Sequence, residues 1–450
     1  MSKPTDILLH EVCSNEERIN FRVPMKFGGR VMTGFTLLNV TVEVETRDGR
    51  RGSGFGSMPM ANVWAWPGQQ VVADEAERAM IDLGKHLAAE ANQYSDAGHP
   101  LEITQELAKE HNSAADRMVS AATLAERMPR LAQLVAASPL EAAIYDAYGK
   151  ALGQNAYDLL GREFVSHDLA RYLTPAFSSE YLDQYTLREP KPTMPLYHLI
   201  GALDPLTDSD ISERVDDGLP ETLAEWISYN GLTHMKIKLA GDDLQWDLER
   251  VLGVERVARE AQSARGCKMW HYSADFNEKC ANVDYVLDFL GKLGERCPIA
   301  LERLQYIEQP TYRDLNAKSE NRVHGAAKIK PIVIDESLVD LESLQLSREL
   351  GYTGVALKAC KGHSGALLMA AAARKFGMFM CVQDLTCPGA SFLHSASLAA
   401  RIPGVAAIEG NARQYCPAGN RGWAERFPTM FHITNGAVGT SVLNGPGLGY

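Results

Sequence analysis

The chain has 450 residues, too many for one small domain and a natural length for two. A composition of 45% hydrophobic and 23% charged residues, without excess Gly or Pro, is that of a globular protein with a sizeable core. The formal charge of −12 excludes the basic footprint of a nucleic-acid binder and argues against binding an anionic membrane surface. The N-terminus lacks the charged-then-apolar order of a secretory signal, and the most apolar later stretch, Gly365–Ala373, is too short to span a bilayer. The eight cysteines are scattered without a CxxC pair, as expected of reduced thiols in a cytoplasmic protein, most of them small core hydrophobes.

Residues 1–161 read as an α+β unit. Thr36–Thr46 alternates, and Arg47–Arg51 holds an Asp-Gly turn, so a hairpin or small antiparallel sheet is expected near residues 20–58. Two loops are expected beside it, Met25–Gly34 and Ser57–Gln69. The second offers Met58, Met60, Trp64 and Trp66, either as an apolar lid over a ligand or as packing for their own domain. From Val72 to Gly161 the pattern is helical, with a break at Asn92–His99. Ser138 reads as an N-cap with Pro139 just inside the helix, followed by an apolar stripe at Ala142, Ile144, Ala147 and Leu152. Residues 162–195, with prolines at 175, 190, 192 and 195, read as an irregular crossover or lid insertion, partly disordered.

From Met194 onward, strand and helix patterns alternate. Strand candidates are 196–202, 235–240, 270–277, 304–310, 331–337, 354–360, 378–384 and 406–412. Helical stretches lie between them at 221–230, 243–262, 282–293, 341–350, 364–377 and 391–402, with a less clear segment at 311–328. Eight such units in about 220 residues predict a (β/α)8-type TIM barrel over 196–412. A doubly wound open sheet is disfavoured because no Gly-rich phosphate fingerprint follows the first strand.

In a barrel, the C-terminal ends of the strands form the catalytic mouth. Lys236 and Lys238 end the second strand on one face, Asp275 with Asn277 the third, Glu308 the fourth, Asp335 the fifth and Lys358 the sixth. Strands two and six stand across the barrel, so lysines face one another over three acids. Singly, each acid is an ordinary solvated loop residue and Lys-x-Lys a charged strand end; five on consecutive strands make a set. Three converging carboxylates require a cation to stay ionised. Oxygen ligands without His or Cys suit Mg2+.

The motifs KIK (236–238), DFN (275–277), EQP (308–310) and DES (335–337), with Lys358, resemble the enolase superfamily, and within it the muconate lactonizing enzyme branch of the mandelate racemase/muconate lactonizing enzyme family. The Thr36–Met58 hairpin, the Leu140–Gly161 helix and the closing NGPGLGY (444–450) are similar to that family's capping domain and returning tail. The resemblance implies a cap over 1–161, a barrel carrying the active site and a tail over 413–450 that returns to the cap. It implies Asp275, Glu308 and Asp335 as Mg2+ ligands and Lys238 and Lys358 as acid/base catalysts on opposite faces of the substrate. Lys236 is then a cationic neighbour of Lys238. Alternation leaves Asp335 and Glu336 equally open, and only the family pattern selects Asp335. Asn277, Glu336 and Asp384 are auxiliary groups; Met58, Trp64, Trp66, Glu409 and Asn411 are candidate substrate contacts.

The physical logic agrees, since a neutral lysine base needs its pKa lowered by roughly 3 units, about 4 kcal/mol, which a second ammonium and a divalent ion can supply. The barrel's seventh strand ends in Gln383-Asp384 rather than a His–Asp pair, which weighs against the mandelate racemase branch. The insertion at 162–195 and the helical excursion around 92–135 exceed a minimal member. Arg413 is as readily a loop ion pair as a substrate contact, and His363 and His394 read as structural or solvated. The expectation is a cytoplasmic, homo-oligomeric, Mg2+-dependent racemase, epimerase or cycloisomerase of a small carboxylic acid such as an N-acyl amino acid, a dipeptide or a muconate-like acid. The alternatives are a dehydratase of a hydroxy or sugar acid and a non-catalytic metal-binding barrel.

Overall fold

The computed structural model describes residues 3–27, 30–68, 70–317 and 322–450. Three antiparallel strands, β1 (Ile7–Phe27), β2 (Arg30–Thr46) and β3 (Arg51–Pro59), form a sheet in that order. Four helices follow, Ala73–Ala91, Pro100–Leu107, His111–Ala121 and Arg130–Leu152. Of the loop expected over Met25–Gly34, Gly28 and Gly29 lie outside the described residues, and the rest belongs to two long paired strands, with Met25 opposite Met32. Its described residues are held there by tertiary burial, since Met25 and Met32 pack with Leu199 and Tyr415 of the barrel. Ser57–Pro59 completes β3, and Asn62–Ala65 makes one helical turn; Gln69 lies outside the described residues.

The helix Arg130–Leu152 runs straight through the expected N-cap. Pro139 lacks the N–H that would bond Val135 O, and the Ser138 hydroxyl donates to that carbonyl instead, at 2.9 Å. The helix is buried almost all round because it is the seam of the molecule. One side lies on β3 at a separation only glycine permits. A Cβ at Gly52, Gly54 or Gly56 would come within 2.4 Å of the carbonyl oxygens of Ala147, Ala143 and Pro139.

Eight parallel strands close into a barrel: β4 (Met194–Ile200), β5 (His234–Lys238), β6 (His271–Asp275), β7 (Leu304–Glu308), β8 (Ile332–Ile334), β9 (Gly354–Lys358), β10 (Phe379–Gln383) and β11 (Ile408–Glu409). β11 pairs with β4 to complete the ring. Helices fall at the six clear stretches expected, whereas 311–328 holds only the turn His324–Ala327 among its described residues. Within the expected insertion 162–195, short 3-10 turns lie at Leu169–Arg171, Pro175–Phe177 and Leu182–Gln184, with Phe177 and Leu182 buried, and its last two residues open β4. The segment is anchored at the helix Ala390–Arg401 and just beyond, where the Lys191 ammonium donates to the carbonyls of Ala399, Ile402 and Val405. The tail returns to the N-terminal unit, with Leu448 N–H donating to Asp146 Oδ1 at 3.0 Å. No helix among the described residues is long and apolar enough to cross a membrane.

Glu141, on the seam helix, reaches the barrel and accepts from Ser364 N–H at the start of the helix His363–Lys375. Burial pushes its carboxyl up to about 7, against the opposing pull of the Ser364 N–H and Arg130. A carboxyl with a raised folded pKa favours the folded state below its ordinary pKa of about 4.5, and that contribution is lost as pH rises through about 7. Glu141→Gln removes this loss. Its melting temperature should therefore gain on that of the parent between pH 5 and pH 8, by the equivalent of at most about 3 kcal/mol. A difference that is flat across that range contradicts this account.

Candidate active site

The ladder register brings the chemistry together. Lys238 pairs with Asp275 across β5 and β6, Asp275 with Glu308 across β6 and β7, and Lys358 with Gln383 across β9 and β10. Asp335 follows β8 directly, and Glu409 ends β11. Lys236, Lys238, Asp275, Glu308, Asp335 and Lys358 are all buried. β5 and β9 stand four places apart in the ring, so their lysines enter the mouth from opposite sides.

Each ammonium is taken by acids. Lys236 Nζ contacts Asp275 Oδ2 at 3.1 Å, Glu308 Oε1 at 2.9 Å and Glu409 Oε2 at 2.9 Å. Lys238 Nζ lies 2.5 Å from Asp275 Oδ2, and Lys358 Nζ 2.9 Å from Asp335 Oδ2. Lys361, which the sequence reading passed over, reaches Asp335 Oδ1 at 3.1 Å. Burial alone would depress Lys358, but Asp335, with Glu308 and Glu409 farther off, outweighs it and holds the amine well above its ordinary value. Lys236 is held up likewise by Glu308, Glu409 and Asp275 against its burial. The depression expected of a lysine base calls for a divalent ion beside the second ammonium; the acids by themselves hold Lys236 and Lys358 up.

The acids are unevenly served. Burial would raise Asp275 and Asp335, but their lysines hold both below the usual range, Asp335 at about 2. Glu308 is pushed well up by burial and by repulsion from Asp275 and Asp335, in spite of Lys236. Glu336 accepts from Trp64 Nε1 at 3.1 Å and Asn277 Nδ2 at 3.3 Å, while its Oε2 is buried without a partner. Burial and the charge of Asp335 push it up to about 7. Asp384 also stands at about 7, through burial and the nearby Glu409. The mouth thus holds six buried acids against four buried lysines, an excess of two negative charges when all are ionised. As they stand, no three acid, His or Cys side chains among the described residues converge closely enough to enclose an ion.

The loops behind these residues are strained and cross-tied. Asn277, Glu278, Gln309 and Thr386 have positive φ (44°, 63°, 29° and 58°), clustered at the mouth. Gln309, the middle letter of EQP, accepts from Asp335 N–H at 2.9 Å and donates to Ser337 Oγ at 2.9 Å. It ties the loop after β7 to the acid after β8. Arg313 grips Glu278 and donates to Trp64 O from both terminal nitrogens at 3.1 Å. That contact fixes Trp64 over the mouth, where its ring lies 4.4 Å from the Lys358 ammonium.

The cavity above the lysines measures about 50 Å3 and is walled by Met25, Met32, Phe35 and Trp64 of the N-terminal unit. Glu409, Asn411 and Asp384 line its polar side. Asn411 Nδ2 bonds Glu409 Oε1 at 2.6 Å and Asp384 Oδ1 at 3.3 Å. Two expected contacts are corrected. Met58 lies behind the wall with its sulfur 3.7 Å from Cys387 Sγ, and Trp66 is buried in the main hydrophobic core, because β3 and the turn after it turn both away from the cavity. Met25, Met32 and Phe35 had no motif to announce them, and only the hairpin's length places them here. Arg413 stacks at 4.9 Å on Trp226 and bonds His198 Nδ1. His363 and His394 are a buried pair 2.9 Å apart, held neutral by burial.

A family model described as Enolase C-terminal domain-like matches residues 219–450. No curated protein matches the chain in sequence. Among solved structures, the L-Ala-D/L-Glu epimerase from Bacillus subtilis, in a substrate-liganded complex, is 17% identical with a TM-score of 0.63 over 98% of each chain. A dipeptide epimerase from Enterococcus faecalis, complexed with Mg and L-Leu-L-Tyr, is 15% identical with a TM-score of 0.62, covering 98% of this chain and 99% of that one. A muconate lactonizing enzyme from Pseudomonas fluorescens, complexed with muconolactone, is 18% identical with a TM-score of 0.59 over 98% and 96%. With more than half of its length matched by the family model, and with that model covering every acid and lysine of the mouth, the chain belongs to the enolase superfamily.

Proposed function

We propose that the chain is a Mg2+-dependent isomerase that removes and returns a proton α to a carboxylate, acting as a racemase, epimerase or cycloisomerase. The observation that carries this reading is Lys238 and Lys358 entering one buried mouth from opposed strands, with acids between them. A proton α to a carboxylate is a very weak acid, so the base must be neutral and the enediolate it leaves must be stabilised. One lysine takes the proton from one face, and the other delivers a proton to the opposite face. A metal that served stability alone would need no such opposed pair.

The donor set fits a hard divalent cation. Asp275, Glu308 and Asp335 would hold it, and Glu308 is the acid that the lysines leave least compensated. Bound there, Mg2+ supplies positive charge for the substrate carboxylate. The same oxygens now bind ammoniums, so an ion competes with Lys236, Lys238 and Lys358 for Asp275, Glu308 and Asp335. An amine that loses its acid is easier to deprotonate. The relatives solved with Mg and a dipeptide or with muconolactone support a small carboxylate substrate. The wall of Met25, Met32, Phe35 and Trp64 suits an apolar part on it, as in an N-acyl amino acid, a dipeptide or a muconate-like acid.

A dehydratase is the second reading. It is favoured by Asp384, a cavity-lining acid at about 7 that can protonate a departing hydroxide.

Two outcomes are expected. Incubated in D2O with Mg2+ and N-acyl amino acids, dipeptides or muconate-like acids, the protein should exchange the α-proton of at least one, read by proton NMR. Lys238→Ala and Lys358→Ala should each slow that exchange by about 100-fold or more. No exchange across the set points to a non-catalytic barrel, and exchange unchanged in Lys238→Ala removes its assigned role. Second, Lys236→Met should destabilise chelator-treated protein by about 3–5 kcal/mol in urea unfolding, since it takes away the ammonium that Glu308 and Glu409 share. Mg2+ should restore more of the melting temperature to the variant than it adds to the parent, and equal effects would contradict the competition between ion and ammonium.

A further inference from the structure

Two lysines of one segment meet the two oxygens of a single carboxylate. Lys358 ends β9, and its ammonium lies 2.9 Å from Asp335 Oδ2. Lys361 closes the 3-10 turn that follows. Its ammonium donates to Asp335 Oδ1 at 3.1 Å and to the Asp335 backbone carbonyl at 2.5 Å. Lys358 and Asp335 line the active-site cavity, and Lys361 does not. It lines instead a separate space with Leu338, Val339 and Ala366. The proposed proton transfer therefore gives this buried amine no part, and its contacts are spent on Asp335.

That hold is geometric. One ammonium bonded to both the carbonyl and the carboxylate of a residue fixes the side-chain torsion, because both acceptors must stay on one side of the Cα–Cβ bond. Gln309 accepts the Asp335 N–H at 2.9 Å, so the backbone is tied at both of its polar groups. Asp335 N, O and Oδ1 are thus all taken by residues that do not line the cavity, while Oδ2 is met by Lys358, which does.

We propose that Lys361 is a positioning residue that keeps Asp335 a one-oxygen ligand and so sets the preference of the mouth for Mg2+ over Ca2+. This rests on the proposed function, in which Asp335 helps to hold the ion. When Oδ2 passes from Lys358 to an ion, Lys361 keeps Oδ1. Ca2+ takes roughly six to eight oxygens and accepts both from one carboxylate. The smaller Mg2+ demands a near-octahedral set, which the narrow bite of a two-oxygen carboxylate does not fit. An ammonium on Oδ1 withholds the second oxygen that Ca2+ would use. Charge alone does not discriminate, since each lysine places one positive charge beside the same carboxylate.

The test is calorimetric titration of the full-length parent, Lys361→Met and Lys358→Met with Mg2+ and with Ca2+, counting only the binding that Glu308→Gln abolishes. Each lysine variant removes one ammonium from one Asp335 oxygen, so a pure charge effect moves both alike. The expected result is that Lys361→Met lowers the ratio of Ca2+ to Mg2+ dissociation constants by about tenfold or more. Lys358→Met should tighten both ions and leave that ratio unchanged. If Lys361→Met does not fold, a crystal structure of the Mg2+-loaded parent decides, with Lys361 expected on Oδ1 and the ion on Oδ2. The proposal alone is overturned if the parent binds Mg2+ and the ratio is unchanged in Lys361→Met, if Lys358→Met shifts it equally, or if the ion takes Oδ1. A parent that binds no Mg2+ removes the proposed function and this proposal together.

Discussion

Every buried ammonium in the barrel mouth stands within 3.1 Å of a carboxylate oxygen, and the rest of the site depends on that pairing. A lysine taken out of water is tolerable only beside an opposite charge, and a carboxylate likewise; removing one partner of such a pair costs about 3–5 kcal/mol. The match is incomplete. Asp275 and Asp335 are held low by their lysines, whereas Glu308, Glu336 and Asp384 are all pushed up. A site with more acid than amine is poised to accept a further cation, and the cation would take from the lysines the partners that now keep them charged. Under the proposed function, metal binding and base strength would be one equilibrium in this mouth.

That arrangement needs walls that do not move apart. The Gly52, Gly54 and Gly56 row lets the seam helix lie against β3, and from the same helix Glu141 reaches the first turn of a barrel helix. Arg313 and Glu278 hold Trp64 from the barrel side. The hairpin end contributes Met25 and Met32 through its length alone. The N-terminal sheet and the turn after it are thus part of the cavity wall, and the strained loops at Asn277, Glu278 and Gln309 are where the backbone bears the cost of aiming those residues.

The barrel was legible because its buried strands are short apolar runs ending on polar residues, and eight of them with helical stretches between leave few other folds. The places of the motif lysines and acids at the strand ends were legible for the same reason. What the sequence hid depends on distant parts of the chain. Pro139 looked like a helix start because the Ser138 hydroxyl that satisfies Val135 O is invisible to a pattern of caps. Met25–Gly34 looked like a loop because its partners, Leu199 and Tyr415, are remote in sequence. How close each carboxylate comes to an ammonium was equally hidden, since it depends on strands far apart in the chain.

The central claim is tested most directly by calorimetric titration of Mg2+ into the protein near pH 7.5, in two buffers of different ionisation enthalpy, to count the protons exchanged. The account predicts that Mg2+ binds and that about one proton or more leaves per ion, from lysines losing their acids and from Glu336. It further predicts that Glu308→Gln loses most of that binding. Absence of binding, or binding with no proton released, would contradict it.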